Sequence, residues 1–389
     1  MDERTRLIRD ATRRPAGRRP VNPPVERAST ILMEQADDLF RADRGPLYGI
    51  EGLSAHRALT DALCELERAS AAFLTPTGLA AITVPMLAAL RAGDEVLVTD
   101  AAYGPTRRFC ERFLKRYGVT TRWYPPRASA EEVLATASDA ARLIVLESPG
   151  SLTFEMQDVP AIAAAARARG IRTLMDNTWA AGVLFKPLDH GVDYSVQALS
   201  KYVGGHSDLL LGSVAVSDPA LARGVQAVID DLGWYVSPDD AWLALRGLRT
   251  LKVRLPQHEA NGLEVARWLV DQPEVARVLH PALPDHPDHA LWKRDFAGSN
   301  GLFGVVLKPG SWDAALAMID ALELFGIGVS WGGFESLVVH CRDQLARRTI
   351  PAEYEGPLIR LHIGLEAPQD LIADLRRGLD VYAQATGRK

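Results

Sequence analysis

Cysteine is scarce: Cys64, Cys110 and Cys341 are the only three in 389 residues, an odd number with no CxxC spacing. That excludes a disulfide framework, and free thiols suit a reducing compartment such as the cytoplasm. Long apolar runs are missing as well. The stretch LAAITVPMLAAL at 79–90 stops at Arg91, short of the roughly 20 residues a membrane span needs, and reads as a buried helix. Neither charge sign dominates, since 44 Lys and Arg against 49 Asp and Glu leave a net charge of −5 and no basic field for a nucleic acid. The first twenty residues carry seven arginines interrupted by Asp2, Glu3 and Asp10 and have no apolar core, so a secretory or transit leader is not expected. No GxGxxG follows a strand pattern, GIGVSWG at 326–332 failing that spacing, and no Walker A sequence occurs, which removes support for a nicotinamide dehydrogenase and a P-loop enzyme.

What is present is ordinary globular composition, 47% hydrophobic and 24% charged, over a length that suits two domains at roughly 150 residues each. The organising pattern is strand, helix, strand. RLIVLES (142–148) is the apolar run of a strand buried on both faces. Asp158 then caps a helix with Pro160 in its first turn and Gly170 after its end, and IRTLMDN (171–177) repeats the buried-strand pattern. Such a βαβ unit implies a parallel sheet. SAAFLT (70–75), DEVLVTD (94–100), YSVQALS (194–200) and LLLGSVAVS (209–217) extend it. From about residue 246 helices and strands mix differently, which predicts a smaller C-terminal α+β domain with a boundary near Gly247. The predicted fold is α/β, a mostly parallel central sheet flanked by helices with that second domain appended.

Ligands of open parallel sheets bind beyond the carboxyl ends of the strands. Those ends offer Thr77 and Gly78, Tyr103, Glu147, Asp176 and Asn177, and Ser200 with Lys201. Together they are the parts needed to hold pyridoxal phosphate. The amine of Lys201 can form a Schiff base with an aldehyde, and the carboxylate of Asp176 can keep a pyridine nitrogen protonated. Backbone amides after Thr77 and Gly78, helped by the hydroxyl of Ser200, can hold a phosphate, and Tyr103 can lie on a ring face. Singly, each residue has a plainer use: a solvated lysine, a capping aspartate, a turn, a packing aromatic. The combination carries the reading. The dense His280, His286 and His289 segment is Pro-rich and reads as a surface loop, with no metal site expected.

The string QALSKYVGGHSDLLLG (197–212) resembles the lysine signature of the Cys/Met-metabolism pyridoxal-phosphate enzymes of fold type I. LESPGSLTFEMQDVPAIAAAARARG, MDNTWAAGVLFKPLDHGVDYS, RGLRTLKVRLPQH, SWGGFESL and PLIRLHIGLE resemble the cystathionine-cleaving β-lyases of that family, in order, from about 21 to 380. The resemblance implies Lys201 as Schiff-base lysine and proton shuttle, Asp176 as pyridinium partner and Tyr103 as stacking residue. It implies phosphate contacts from Gly78, Leu79 and Ser200, a substrate-carboxylate clamp in Arg360, and further substrate contacts from Ser330 and Trp331. Arg360 also lies opposite Ile359, Leu361 and Ile363 on an alternating strand, and a guanidinium suits a carboxylate. Tyr48 would reach the phosphate and substrate of a neighbouring subunit, so the resemblance implies at least a dimer, and a dimer of dimers as the homo-oligomer.

Two departures stand out. The family's usual phosphate-binding arginine two residues after Tyr48 is replaced by Ile50, with Arg44 and Arg57 the nearby basic residues, and Trp242 stands where a tyrosine is common. The expected layout is an arm over 1–50 contacting a neighbouring subunit, a large cofactor domain over 51–246 and a small domain over 247–389. The expected reaction is α,β-elimination of L-cystathionine to homocysteine, pyruvate and ammonia. A γ-acting relative, a broader cysteine-conjugate β-lyase and a non-catalytic binding or regulatory protein on the same scaffold are the other readings. A small-molecule thioether amino acid is the expected partner, with no nucleic acid and no membrane.

Overall fold

In the central part of the chain, short runs of aliphatic and β-branched residues alternate with capped helices, and the strands pair into one sheet. The structure, a computed structural model, describes residues 2–9, 20–41 and 45–387. Strands β1 (Ala71–Thr75), β2 (Glu95–Thr99), β3 (Thr120–Tyr124), β4 (Ala141–Glu147), β5 (Arg172–Asp176), β6 (Tyr194–Ala198) and β7 (Gly212–Val216) lie in the order β1-β7-β6-β5-β4-β2-β3. From β3 to β6 the pairings are parallel, and β7 runs antiparallel to both of its neighbours. Every residue of β2 and of β7 is buried, as a sheet covered on both faces requires.

Helices α1 (Glu3–Arg9), α2 (Ser54–Glu67), α3 (Gly78–Ala89), α4 (Gly104–Arg108), α5 (Ala130–Ala135), α6 (Val159–Ala168) and α7 (Pro219–Leu232) accompany this sheet. The βαβ unit read from 142–177 is β4, α6 and β5. Asp158 caps α6 by accepting from the Ala161 amide at 3.2 Å, and Gly170 beyond its end takes φ +67°.

The second half begins with α8 (Pro238–Val270), a single helix of 33 residues. It continues through β8 (Val275–Leu279), α9 (His289–Asp295), β9 (Leu302–Leu307), α10 (Trp312–Asp320), β10 (Gly326–Ile327), β11 (Leu337–His340), α11 (Arg342–Leu345), β12 (Leu358–His362) and α12 (Pro368–Ala385). The five strands form a second sheet in the order β10-β11-β12-β9-β8, antiparallel except for β10 and β11. Gly247 lies inside α8. A Cβ there would sit 2.4 Å from the carbonyl oxygens of Val203 and Gly204, so glycine lets the helix cross the segment that follows Lys201.

Asp100, buried after β2, ties the second half to the first. It accepts from the amides of Thr349 (3.1 Å) and Ile350 (2.7 Å) and pairs with Arg107 and Arg348. The chain start also docks on its own fold, where Glu3 of α1 pairs with Lys186 at 2.7 Å and with Lys252. Trp242 fastens the arm to α8, its indole N–H donating to the Pro23 carbonyl at 3.2 Å. The 280–289 segment differs from the surface loop read from its prolines. His280 and His286 are buried, because they serve local backbone, with His280 Nδ1 accepting from Ala282 N at 3.2 Å and His286 Nδ1 from Asp288 N at 3.1 Å. Among the described residues no helix is long and apolar enough to cross a membrane.

Candidate active site

Parallel pairing of β4 with β5 sets Glu147 directly opposite Asp176 at the ends of the two strands. Asp176 Oδ1 accepts from the Thr178 amide at 3.0 Å and from its hydroxyl at 2.5 Å, while Glu147 Oε2 accepts from the Tyr103 amide at 2.7 Å. Each residue keeps some accessible area, while its carboxylate is ringed by protein. That enclosure raises both pKa values. Glu147 rises further because Asp176 adds like charge, whereas Thr178 and the Lys201 ammonium oppose the rise at Asp176. The pair therefore holds its first negative charge on Asp176.

Lys201 follows β6 in a turn closed by its amide on the Ala198 carbonyl, 3.1 Å. Its Nζ donates to Ser330 Oγ at 2.7 Å and lies 5.5 Å from the centre of the Trp331 ring. Burial, then the positive charge of Arg360, bring the amine down to about 8, with Asp176 opposing. Arg360, 7% exposed on β12, donates through Nη2 to the carbonyls of Val329 (2.9 Å) and Ser330 (3.2 Å). Its other N–H groups can take a carboxylate.

The start of α3 forms the third wall. Thr77 Oγ1 accepts from the Ala80 amide at 3.0 Å, while the amides of Gly78 and Leu79 have no acceptor among the described residues. A Cβ on Gly78 would lie 2.4 Å from Ala198 Cβ, so glycine brings these free amides against the strand that leads into Lys201. The Ser200 hydroxyl is already engaged, donating to the Leu211 carbonyl (3.2 Å) and accepting from its amide (3.0 Å). Its proton can serve a phosphate only in place of the Leu211 carbonyl. Tyr103, 43% exposed at the entry to α4, has its phenol pushed up by desolvation and by the charges of Asp176 and Glu147.

The fold thus brings Lys201, Asp176, Tyr103, Gly78, Leu79, Ser200, Arg360, Ser330 and Trp331 to one mouth. Tyr48 sits on the arm, half exposed and bridged to Thr30, with Ile50 beside it 44% exposed. Arg57 is exposed on α2, and Arg44 falls outside the described residues. Sequence reasoning gave no role to Glu147, although two acids closing consecutive strands of one βαβ unit were the available signal. It also missed His362, whose Nε2 lies 3.0 Å from the Gly332 amide.

A lysine, a buried acid one crossover upstream and a glycine-shaped nest of free amides on this sheet fit pyridoxal phosphate and define a fold-type-I enzyme of that cofactor. The comparisons agree. The chain belongs to the Cys/Met metabolism PLP-dependent enzyme family, whose pattern matches residues 4–380. It is 45% identical over 372 residues to a cystathionine beta-lyase of Bordetella avium, covering 94% of this chain and 93% of that one. It is 44% identical over 369 residues to the cystathionine beta-lyase MetC of Escherichia coli, covering 92% and 93%. Among solved structures, cystathionine gamma-lyase from Lactobacillus plantarum complexed with L-serine superposes with a TM-score of 0.90 at 29% identity over all of both chains.

Proposed function

We propose that this protein cleaves L-cystathionine by α,β-elimination, releasing homocysteine, pyruvate and ammonia. The observation that carries the reading is Lys201 Nζ held 2.7 Å from Ser330 Oγ and within electrostatic reach of Asp176 and Arg360, in a chain 45% identical to a named β-lyase. Arg360 receives the substrate α-carboxylate through the N–H groups it does not give to the Val329 and Ser330 carbonyls. Lys201, its amine lowered to about 8 by burial, removes the Cα proton at Nζ. Bound pyridoxal phosphate supplies the electron sink for the carbanion at Cα. Asp176 would hold a proton on the pyridine nitrogen, Gly78 and Leu79 would donate amides to the phosphate, Ser200 would swing its hydroxyl from the Leu211 carbonyl to donate to it as well, and Tyr103 would cover the ring. Ser330 holds Lys201 at the Cα position, Trp331 closes the cavity beside it, and the thiolate of homocysteine leaves Cβ.

The homo-oligomer belongs to the same proposal. The arm over 1–50 brings Tyr48 to a neighbouring subunit, the cofactor domain over 51–246 and small domain over 247–389 pack around the site, and two dimers make a cytoplasmic tetramer. The exposed Tyr48 and Ile50 on the arm support this. Identifying the oxo acid released from L-cystathionine tests the reaction: pyruvate is expected, and 2-oxobutyrate with free cysteine would assign a γ-lyase instead.

A further inference from the structure

Ser330 and Trp331 sit on an irregular segment, so something must hold them on Lys201. One end of the segment is fastened by Ser336, whose amide and hydroxyl both donate to Glu366 at 2.8 Å. The other end is held by Arg360 through the carbonyls of Val329 and Ser330. Between them Gly332 takes φ +84° and packs so closely on the main chain of the catalytic lysine that a Cβ would lie 2.6 Å from Tyr202 N and 3.0 Å from Lys201 Cα. The polar group facing Gly332 is His362, two residues beyond Arg360 on β12 and 1% exposed.

The hydrogen bonds decide the tautomers. His258 of α8 donates from Nδ1 to the Ile363 carbonyl at 3.0 Å, which leaves its Nε2 a lone pair. His362 Nε2 lies 3.0 Å from the Gly332 amide and 3.1 Å from the Gly333 carbonyl. The Gly332 amide points at Nε2 and is given no other acceptor among the described residues, so Nε2 accepts from it and the proton of His362 sits on Nδ1. The rings of His258 and His362 are 5.4 Å apart, with an unpartnered acceptor on one and an unpartnered donor on the other. Tyr202, next to Lys201, packs edge-on to both at 5.1 and 5.8 Å. The charged groups around the two rings, Arg360 and Lys201 near His362 and Arg254, Glu366 and Glu335 near His258, leave them neutral, with His362 pushed down to about 3 and His258 to about 4 chiefly by burial.

We propose that His362 is a positioning residue for the elimination: as a neutral acceptor for the Gly332 amide, it sets the 330–333 segment on the main chain of Lys201 and so keeps Ser330 Oγ on Lys201 Nζ. This rests on Lys201 being the base of the reaction proposed above.

The test compares His362→Phe, which fills the space without an acceptor, with His362→Gln, whose amide oxygen can replace Nε2, each alone and with Ser330→Ala. His362→Phe is expected to lower kcat by about 30-fold to 100-fold, the cost of a misplacement near 1 Å, with KM moving less than about threefold. His362→Gln is expected to recover most of that loss, and in the Ser330→Ala background the Phe substitution should add almost nothing. A second readout needs no turnover. Competitive acetylation of Lys201 in cofactor-free protein, followed by mass spectrometry across pH, should place the amine near 8 in the parent and higher in His362→Phe, as water reaches it. A Phe variant matching the parent in kcat and in lysine titration, a Gln variant no better than Phe, or losses that multiply with Ser330→Ala would each overturn the inference. If the parent releases no pyruvate while the lysine titration shifts as expected, the proposed reaction fails and the positioning role stands.

Discussion

Glu147 and Asp176 face each other across the β4 and β5 pairing, two carboxyls sharing one enclosed strand-end position with the Tyr103 amide on one and Thr178 on the other. Like charges so placed do not both ionise readily. Because enclosure and the Asp176 charge push the Glu147 carboxyl well up, Glu147→Gln should disturb the site little and lower kcat less than about tenfold. Asp176→Asn removes the charge that the proposed reaction needs at the pyridine nitrogen and should lower kcat by more than about 100-fold. Steady-state pyruvate release from both variants checks the contrast, and equal losses would show that the charge is shared differently.

Lys201→Ala should reduce pyruvate release by at least about 1000-fold, within the range of a lost general base combined with a lost covalent anchor. The fold should survive, since the side chain contributes one hydrogen bond, to Ser330. Circular dichroism melting close to that of the parent, together with residual turnover, measures both halves.

Activity should climb with pH on the acid side. Lys201 works as a base only when neutral, and burial brings its amine down to about 8 from the ordinary 10.5, so kcat, which reports the enzyme–substrate complex in which that amine is free, should rise with pH below about 8 and level above it. A flat profile between pH 6 and 8 would remove Lys201 from the proton transfer.

Stability should fall in acid. Burial lowers His258, His280 and His286 to about 4 and His362 to about 3, all beneath the unfolded value of 6.5. A depressed folded pKa means the unfolded chain binds protons first. The stabilisation is complete above 6.5 and is lost as pH falls toward 4, by at most about 1.4 kcal/mol per histidine per unit. Thermal melting from pH 7 to 4.5 should show the midpoint dropping, and His280→Asn should flatten the slope.

Gly78→Ala places a methyl where Ala198 already sits, 2.4 Å away, so the start of α3 must move. The expected cost is about 1–3 kcal/mol of stability, with weaker retention of the cofactor phosphate. Equilibrium dialysis against pyridoxal phosphate and a melting curve record the two effects.

Much of this protein is written locally. The β4, α6 and β5 unit is legible because a strand buried on both faces needs an unbroken apolar run, and because Asp158, Pro160 and Gly170 act within one turn of the helix they bound. Lys201, Asp176, Tyr103 and Gly78 could be picked out because strand ends of a parallel sheet share one mouth. Trp242 kept its purpose hidden, since the Pro23 carbonyl it holds is 219 residues away.

By itself the amino-acid sequence determined the alternation of elements, the caps, and which side chains with reactive groups end each strand, since these follow from periodicity and short-range hydrogen bonding. Only the tertiary structure decided that Glu147 opposes Asp176, that Ser330 lies on Lys201 across 129 residues, and that His362 reaches the Gly332 amide. The reason is physical: strand register, the crossing of α8 over a glycine and the closure of one sheet on the other are set by packing of the whole chain, and a contact that costs loop closure leaves no mark at the positions it joins.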